Sequence, residues 1–252
     1  MTLRIAFDLD GVLADMESEL LRQAEILFGS QQAAAPSEAA PESGKVPAST
    51  ARAPASGEPA PDDQPADIPP RIKLELSARQ QRRLWRHIGT IDNFWESLQE
   101  IEPGVIATLA GLAADRDWEV IFLTKRPATS GATAQVQSQH WLAARGFPLP
   151  SVYVVQGSRG RIAAALGLDV VVDDRAENCL DVVADSTARA VLVWREDRKA
   201  LPAAVERLGV TVVQSVAECL TALVEAGSVE TRTGGVVGRV KRLLGWKQPA
   251  RT

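Results

Sequence analysis

The stretch IAFDLDGVLAD, residues 5–15, decides how the rest of the chain is read. A short apolar run ends in three carboxylates, Asp8, Asp10 and Asp15, with Gly11 among them. Like charges this close oppose one another's ionisation unless a cation joins them. Negative charge gathered where a strand ends therefore points to a ligand site rather than to packing. Gly11 lets the chain turn tightly away from that end.

Outward from this stretch the chain repeats the same plan. Short apolar runs predict strands at LRIAFDL (3–9), WEVIFLT (118–124), SVYVVQ (151–156), VVVDD (170–174), AVLVW (190–194) and, more weakly, VTVVQ (210–214). Helical patterns lie between them at 103–114, at 135–145 ending before Gly146, and at 161–166 ending before Gly167. Strand and helix in alternation predict an α/β fold, a Rossmann-like parallel sheet with helices on both faces. Ligands of such sheets bind outside the carboxyl ends of the strands. The second strand ends in Thr124-Lys125-Arg126 and the fourth in Asp173-Asp174, so acids, a hydroxyl and cations converge on the edge that holds Asp8 and Asp10. Carboxylate oxygens are natural ligands of a hard ion such as Mg2+. One of the acids is then left to do chemistry.

Composition sets the frame. A chain of 252 residues with 45% hydrophobic residues is long enough for one α/β domain with an insertion. A net charge of −4 argues against stable nucleic-acid binding by the whole protein. Cys179 and Cys219, far apart and without metal-ligand spacing, fit a reducing compartment, and a cytoplasmic location is expected. No window approaches eighteen apolar residues, and neither a signal peptide nor a spanning helix is expected. Residues 31–70 are Ala- and Pro-rich with hardly a large apolar side chain, which predicts a disordered insert. On either side, ESELLRQAEILFG, SARQQRRLWRHIG and a short helix in FWESLQEI predict a small helical cap inserted after the first strand. The expected division is a catalytic core at 1–14 and 101–226, a cap at 15–30 and 71–100, and a basic amphipathic tail at 227–252. That tail carries Arg232, Arg239, Lys241, Arg242, Lys247 and Arg251, and is read either as a weak contact with a membrane surface or protein or as a terminal helix docked on its own domain or a partly disordered tail.

FDLDGVLAD resembles the first signature of the haloacid dehalogenase (HAD) superfamily in its phosphatase form. IFLTKRP is similar to the second signature, and VVVDDRAEN to the fourth, in the same order along the chain. Within the superfamily, DNFWESLQEIEPGV, LTKRP, HWLAARGF and VVVDDRAEN resemble the 5'(3')-deoxyribonucleotidase-like group. The resemblance implies a HAD-like core and a Mg2+-dependent phosphohydrolase acting on a small phosphomonoester, such as a (deoxy)nucleoside monophosphate, through an aspartyl-phosphate. It implies Asp8 as nucleophile and Asp10 as general acid and base. It implies metal ligation by Asp8, the backbone carbonyl of Asp10, and Asp173 or Asp174, with Asp173 favoured for direct contact. Thr124 would bind phosphate. The superfamily's third signature is usually a lysine, and here GSRGRIAAALGLD has none. Arg159, the closer by spacing, or Arg161 stands in for it, or Lys125 reaches over. Arginine and lysine are not geometrically equivalent toward phosphate.

Other residues keep two readings. Asp15 either caps the following helix or serves the site. Phe94, Trp95 and Trp85 pack the cap or stack on a base. Arg175 and Asn178 are expected to brace the loop after the fourth strand, and His87 and His140 to be structural. Against the phosphohydrolase stands a slow or inactive phosphate-binding protein that acts as an interaction module. A phosphotransferase would share the same intermediate.

Overall fold

The computed structural model describes residues 2–29 and 76–232, with side chains as far as residue 226. Nearly all of the expected insert at 31–70 and the basic tail lie outside the described residues. The elements in chain order are β1 (Arg4–Asp8), α1 (Met16–Phe28), α2 (Ala78–Thr90), a 3-10 turn (Phe94–Glu96), α3 (Val105–Arg116), β2 (Glu119–Thr124), α4 (Ala134–Ala144) and β3 (Ser151–Val154). They continue with α5 (Arg159–Leu166), β4 (Val170–Asp173), α6 (Ala176–Asp185), β5 (Arg189–Val193), a second 3-10 turn (Arg198–Ala200), α7 (Ala203–Arg207), β6 (Thr211–Val213) and α8 (Val216–Arg232). All six expected strands form. They pair in parallel in the order β3-β2-β1-β4-β5-β6, which puts β1 between β2 and β4. The fold is the expected Rossmann-like α/β sheet. Among the described residues no helix is long and apolar enough to cross a membrane.

The period of two along each strand divides the core into two layers. Ile5, Phe7, Phe122, Val170, Val172 and Val191 face one side, against Ile106 and Leu109 of α3, Trp141 and Leu142 of α4, and Leu220 of α8. Ala6, Ile121, Leu123, Val171, Ala190 and Leu192 face the other, against Ala163 of α5, Cys179 and Val182 of α6, and Val205 of α7. The site is sorted by the same alternation. Asp8 and Asp173 follow the second set of positions, and Thr124 follows the first.

The link from β1 to α1 is a tight loop stitched to its own start. The amides of Leu13 and Ala14 both donate to the Leu9 carbonyl, at 2.9 and 2.7 Å. Leu9, Val12, Leu13 and Ala14 are fully buried, so the loop is fixed by its apolar side chains. The returning chain pairs with it. Asp15 donates its amide to the Gln99 carbonyl and Ile101 donates to that of Leu13. Helix α1 starts where Asp15 accepts the amide of Ser18 at 3.0 Å, the capping reading of that residue. Helix α2 starts at a capping box of Ser77 and Gln80.

Candidate active site

The carboxyl ends of β1, β2 and β4 carry the chemistry. Asp8 closes β1, Thr124 closes β2 and Asp173 closes β4, and all three are buried. A cavity of about 750 Å3 opens above them, lined by Asp8, Asp10, Lys125, Arg159 and Asp174, by Met16, Glu17 and Leu20 at the start of α1, and by Trp194 after β5. That volume is in the range of small-molecule sites.

Asp8 is the most perturbed of these acids. Burial pushes its carboxyl well above the ordinary range, and the charge of Asp173 pushes it further. Arg159 opposes the rise without cancelling it, and Asp10 and Asp174 add to it. Burial thus leads the rise, and Asp173, Asp10 and Asp174 all act on Asp8 in the same direction. Arg159 is the first residue of α5, capped by Ser158, and its guanidinium donates to Oδ1 of Asp8 and lies 3.6 Å from Oδ2 of Asp173. Burial lowers the Arg159 pKa, but the pull of Asp8 and Asp173 outweighs it and the net shift is upward. Of the two arginines left open by the sequence, Arg159 is the one brought to Asp8. Arg161 points away, 3.8 Å from Asp185 at the surface.

Asp173 and Asp174 are neighbours in different circumstances. Asn178 Nδ2 donates to both oxygens of Asp173, at 3.0 and 2.9 Å, and the Arg175 amide donates to Oδ1 at 2.9 Å. Asn178 thus braces this loop with its side chain, as expected, whereas Arg175 does so only through its backbone amide, and both residues also line the cavity. Burial still raises the Asp173 carboxyl, against Arg159 and these donors. Asp173 is fully buried beneath the cavity, whereas Asp174 lines it and lies over Gly11. A Cβ on Gly11 would stand 2.2 Å from Oδ2 of Asp174, and Gly11 has φ +86°. Glycine is required there twice, by conformation and by the close approach of an acid.

Asp10 is held from the opposite layer. The Thr124 hydroxyl donates to its Oδ2 at 3.0 Å, so in this structure that hydroxyl meets Asp10 and Thr124 does not line the cavity. Arg126 donates to Asp10 through Nη2, 2.7 Å from Oδ1, and through Nε, 3.1 and 3.0 Å from the two oxygens. The sequence reading counted Arg126 among the cations at this edge but gave it no partner. Strand alternation was the signal for it, since position 126 shares a side with Thr124 while Lys125 falls on the other. Of the remaining candidates, Phe94 and Trp95 are buried in the core and Trp85 packs against it, so packing accounts for all three. The aromatic residue on the cavity is Trp194. His87 bonds Gln23 at 2.9 Å and His140 bonds Glu96 at 3.0 Å, both away from the cavity.

Among the described residues no three acidic, histidine or cysteine side chains are gathered as a ready cage for a metal. Mg2+ asks for less, because it keeps several waters and is held by one or two carboxylates. Asp8 and Asp174, two carboxyl groups on one cavity, suit such an ion.

No protein-family model and no curated protein matches the chain. Solved structures do. A HAD family hydrolase from Deinococcus radiodurans R1, crystallised with bound phosphate and sodium, is 17% identical, with a TM-score of 0.51 over 90% of this chain and 96% of that one. A hydrolase from Pseudomonas syringae is 15% identical, with a TM-score of 0.47 over 89% of this chain and 99% of that one. At such identities the likeness to the Deinococcus protein is one of fold: the chain has the HAD-like architecture.

Proposed function

We propose that this chain is a HAD-type phosphohydrolase that cleaves a small phosphomonoester through an aspartyl-phosphate on Asp8. The observation that carries the reading is Asp8 itself, a buried carboxylate at the end of the central strand that faces a cavity, with a guanidinium on one oxygen and a second acid two residues on. The phosphate bound by the Deinococcus protein of the same fold is in keeping with it.

In this mechanism a carboxylate oxygen of Asp8 attacks phosphorus and the phosphorus–ester oxygen bond breaks. The bonding pair goes to the leaving oxygen, which takes a proton from Asp10. Water then attacks phosphorus, Asp10 takes its proton, and the bond to Asp8 breaks to restore the carboxylate. Arg159 and Lys125 supply positive charge to the phosphoryl oxygens. The second-strand signature assigns phosphate contact to Thr124 as well, through a hydroxyl that Asp10 holds at rest. Mg2+ would be held by Asp8, the backbone carbonyl of Asp10 and an acid of the 173–174 pair, with Asp174 on the cavity and Asp173 beneath it. Bound there, it would neutralise phosphate charge against the ring of acids. A (deoxy)nucleoside monophosphate fits the 5'(3')-deoxyribonucleotidase-like motifs, and Trp194 is the side chain placed to meet a base.

One observation favours the second reading, a phosphate-binding protein without turnover: Arg159 covers an oxygen of the nucleophile. Phosphate release from a panel of phosphomonoesters, including nucleoside 5'- and 3'-monophosphates, separates the two. Turnover that needs Mg2+, stops with chelator and is abolished in Asp8→Asn establishes the hydrolase. Release no faster than that of Asp8→Asn across the panel overturns the hydrolase and favours the binding protein.

A further inference from the structure

We infer that Arg126 is the positioning residue for Asp10, an inference that rests on the phosphohydrolase reading. Arg126 is 2% exposed, and each part of its guanidinium is engaged. Nε and Nη2 grip the Asp10 carboxylate as a fork, Nη1 donates to Ser138 Oγ at 2.8 Å, and Ser138 is itself fixed to the Ala134 carbonyl at 2.7 Å. The flat of the group lies over the Trp95 ring at 4.9 Å, with the Trp141 ring at 5.9 Å. The cation has no room to turn.

Asp10 is differently placed. It sits in the loop after β1, whose backbone is held by the bonds of Gly11, Leu13 and Ala14, but a fixed backbone leaves the side-chain torsions of Asp10 to be set by what its carboxylate meets. Thr124 supplies a single hydroxyl. The Arg126 fork supplies the rest, setting both the plane of the carboxylate and its distance from the cavity. Stability alone does not call for an arginine here. A buried ion pair is often no better than apolar side chains of the same volume, because two charges must be desolvated to form it. Between two tryptophans an apolar side chain would fill the same space. What it could not do is aim a carboxylate.

Proton delivery by Asp10 matters in proportion to the basicity of the leaving group. An alkoxide needs the proton to depart, and a nitrophenolate does not. The experiment is single-turnover release of the leaving group from ethyl phosphate and from 4-nitrophenyl phosphate. The proteins are wild type, Asp8→Asn, Arg126→Lys, Ser138→Ala, Asp10→Asn and the Arg126→Lys/Asp10→Asn double variant. Arg126→Lys keeps the charge and loses the fork. It is expected to slow ethanol release by at least about tenfold while nitrophenolate release stays within about threefold. Ser138→Ala, which loosens one end of the guanidinium, should show the same split with a smaller effect, and it reads the inference even if Arg126→Lys folds poorly. Asp10→Asn should show the split in full, and adding Arg126→Lys should slow ethanol release no further. Equal losses on both substrates, or losses that multiply in the double variant, overturn the inference and leave Arg126 a structural residue. If Asp8→Asn abolishes release and the Arg126 and Ser138 variants show no split, only the positioning role falls. If wild type releases neither leaving group faster than Asp8→Asn, the phosphohydrolase reading falls, and the role of Arg126 with it.

Discussion

Gly11 shows how much one missing side chain can decide. Two costs meet there: the positive φ, which strains any residue with a Cβ, and the carboxylate of Asp174 lying where that Cβ would go. Gly209 separates them, since it has φ +74° and nothing within 4 Å of a built Cβ. Both Gly11→Ala and Gly209→Ala are expected to lose about 1 kcal/mol through backbone strain, a few degrees in thermal melting. Only Gly11→Ala should also displace Asp174, and with it raise the Mg2+ concentration that half-saturates phosphate release. Equal Mg2+ requirements in the two variants would detach Asp174 from the proposed metal site. The acids were legible from sequence because a polar cluster after an apolar run needs an explanation. The pairing of Arg126 with Asp10 was not, because the two lie 116 positions apart and no local period names a partner at that range. The bracing of Asp173 by Asn178 spans only five residues, and the motif carried it.

At the level of elements, the crossing of α5 and α6 sets the place of Arg159. Gly160 is the second residue of α5, and a Cβ there would stand 2.2 Å from the Asp181 carbonyl oxygen and 2.7 Å from the Asp185 Cβ. Backbone lies in the way, so the helices would have to part. Gly111 in α3 meets nothing within 4 Å. In an isolated helix both changes to alanine would be favourable by helix propensity. Here the signs should divide: Gly111→Ala is expected to stabilise by roughly 0.5–1 kcal/mol and Gly160→Ala to destabilise by about 1–3 kcal/mol, as read by denaturant unfolding. Stabilisation by Gly160→Ala would mean that α5 sits farther from α6 than described. The strands were legible as apolar runs because a parallel sheet buries both faces of each strand. Helix α6 escaped the sequence reading for a physical reason. Its N-cap is Arg175, which makes no side-chain cap bond, so the usual start signal is missing, and the chain enters it directly from the acidic pair. The 3-10 turn at Phe94–Glu96 was anticipated as a short helix. Its place could not be: the Trp95 amide bonds Gln137 of α4 at 2.9 Å, a partner 42 residues on.

Across the described residues, one ion pair joins the loop after β1, the chain returning to α3 and the last helix. Arg195, after β5, donates to the carbonyls of Gly11 at 2.6 Å and Val12 at 3.2 Å and to Glu102 at 2.6 Å. Glu102 accepts in addition the amides of Val216 at 2.8 Å and Ala217 at 3.0 Å, the first two residues of α8. Burial pushes the Glu102 carboxyl up, but the two amides and Arg195 outweigh it and hold the group below its ordinary value of 4.5. A carboxyl whose folded value is depressed adds stability that is fully present above the unfolded value and is lost as pH falls through the folded one. Glu102→Gln removes the charge and keeps one oxygen acceptor, so at neutral pH it should cost about 1–2 kcal/mol, the range of a few weakened charge-assisted hydrogen bonds. As pH falls below 4.5, wild type protonates the same group and its advantage should shrink. Melting temperatures of the two proteins, measured from pH 7 down to pH 3, should therefore converge at the acid end. Parallel curves would show that Glu102 is not held low in the fold, and that Arg195 secures the loop after β1 through the Gly11 and Val12 carbonyls alone.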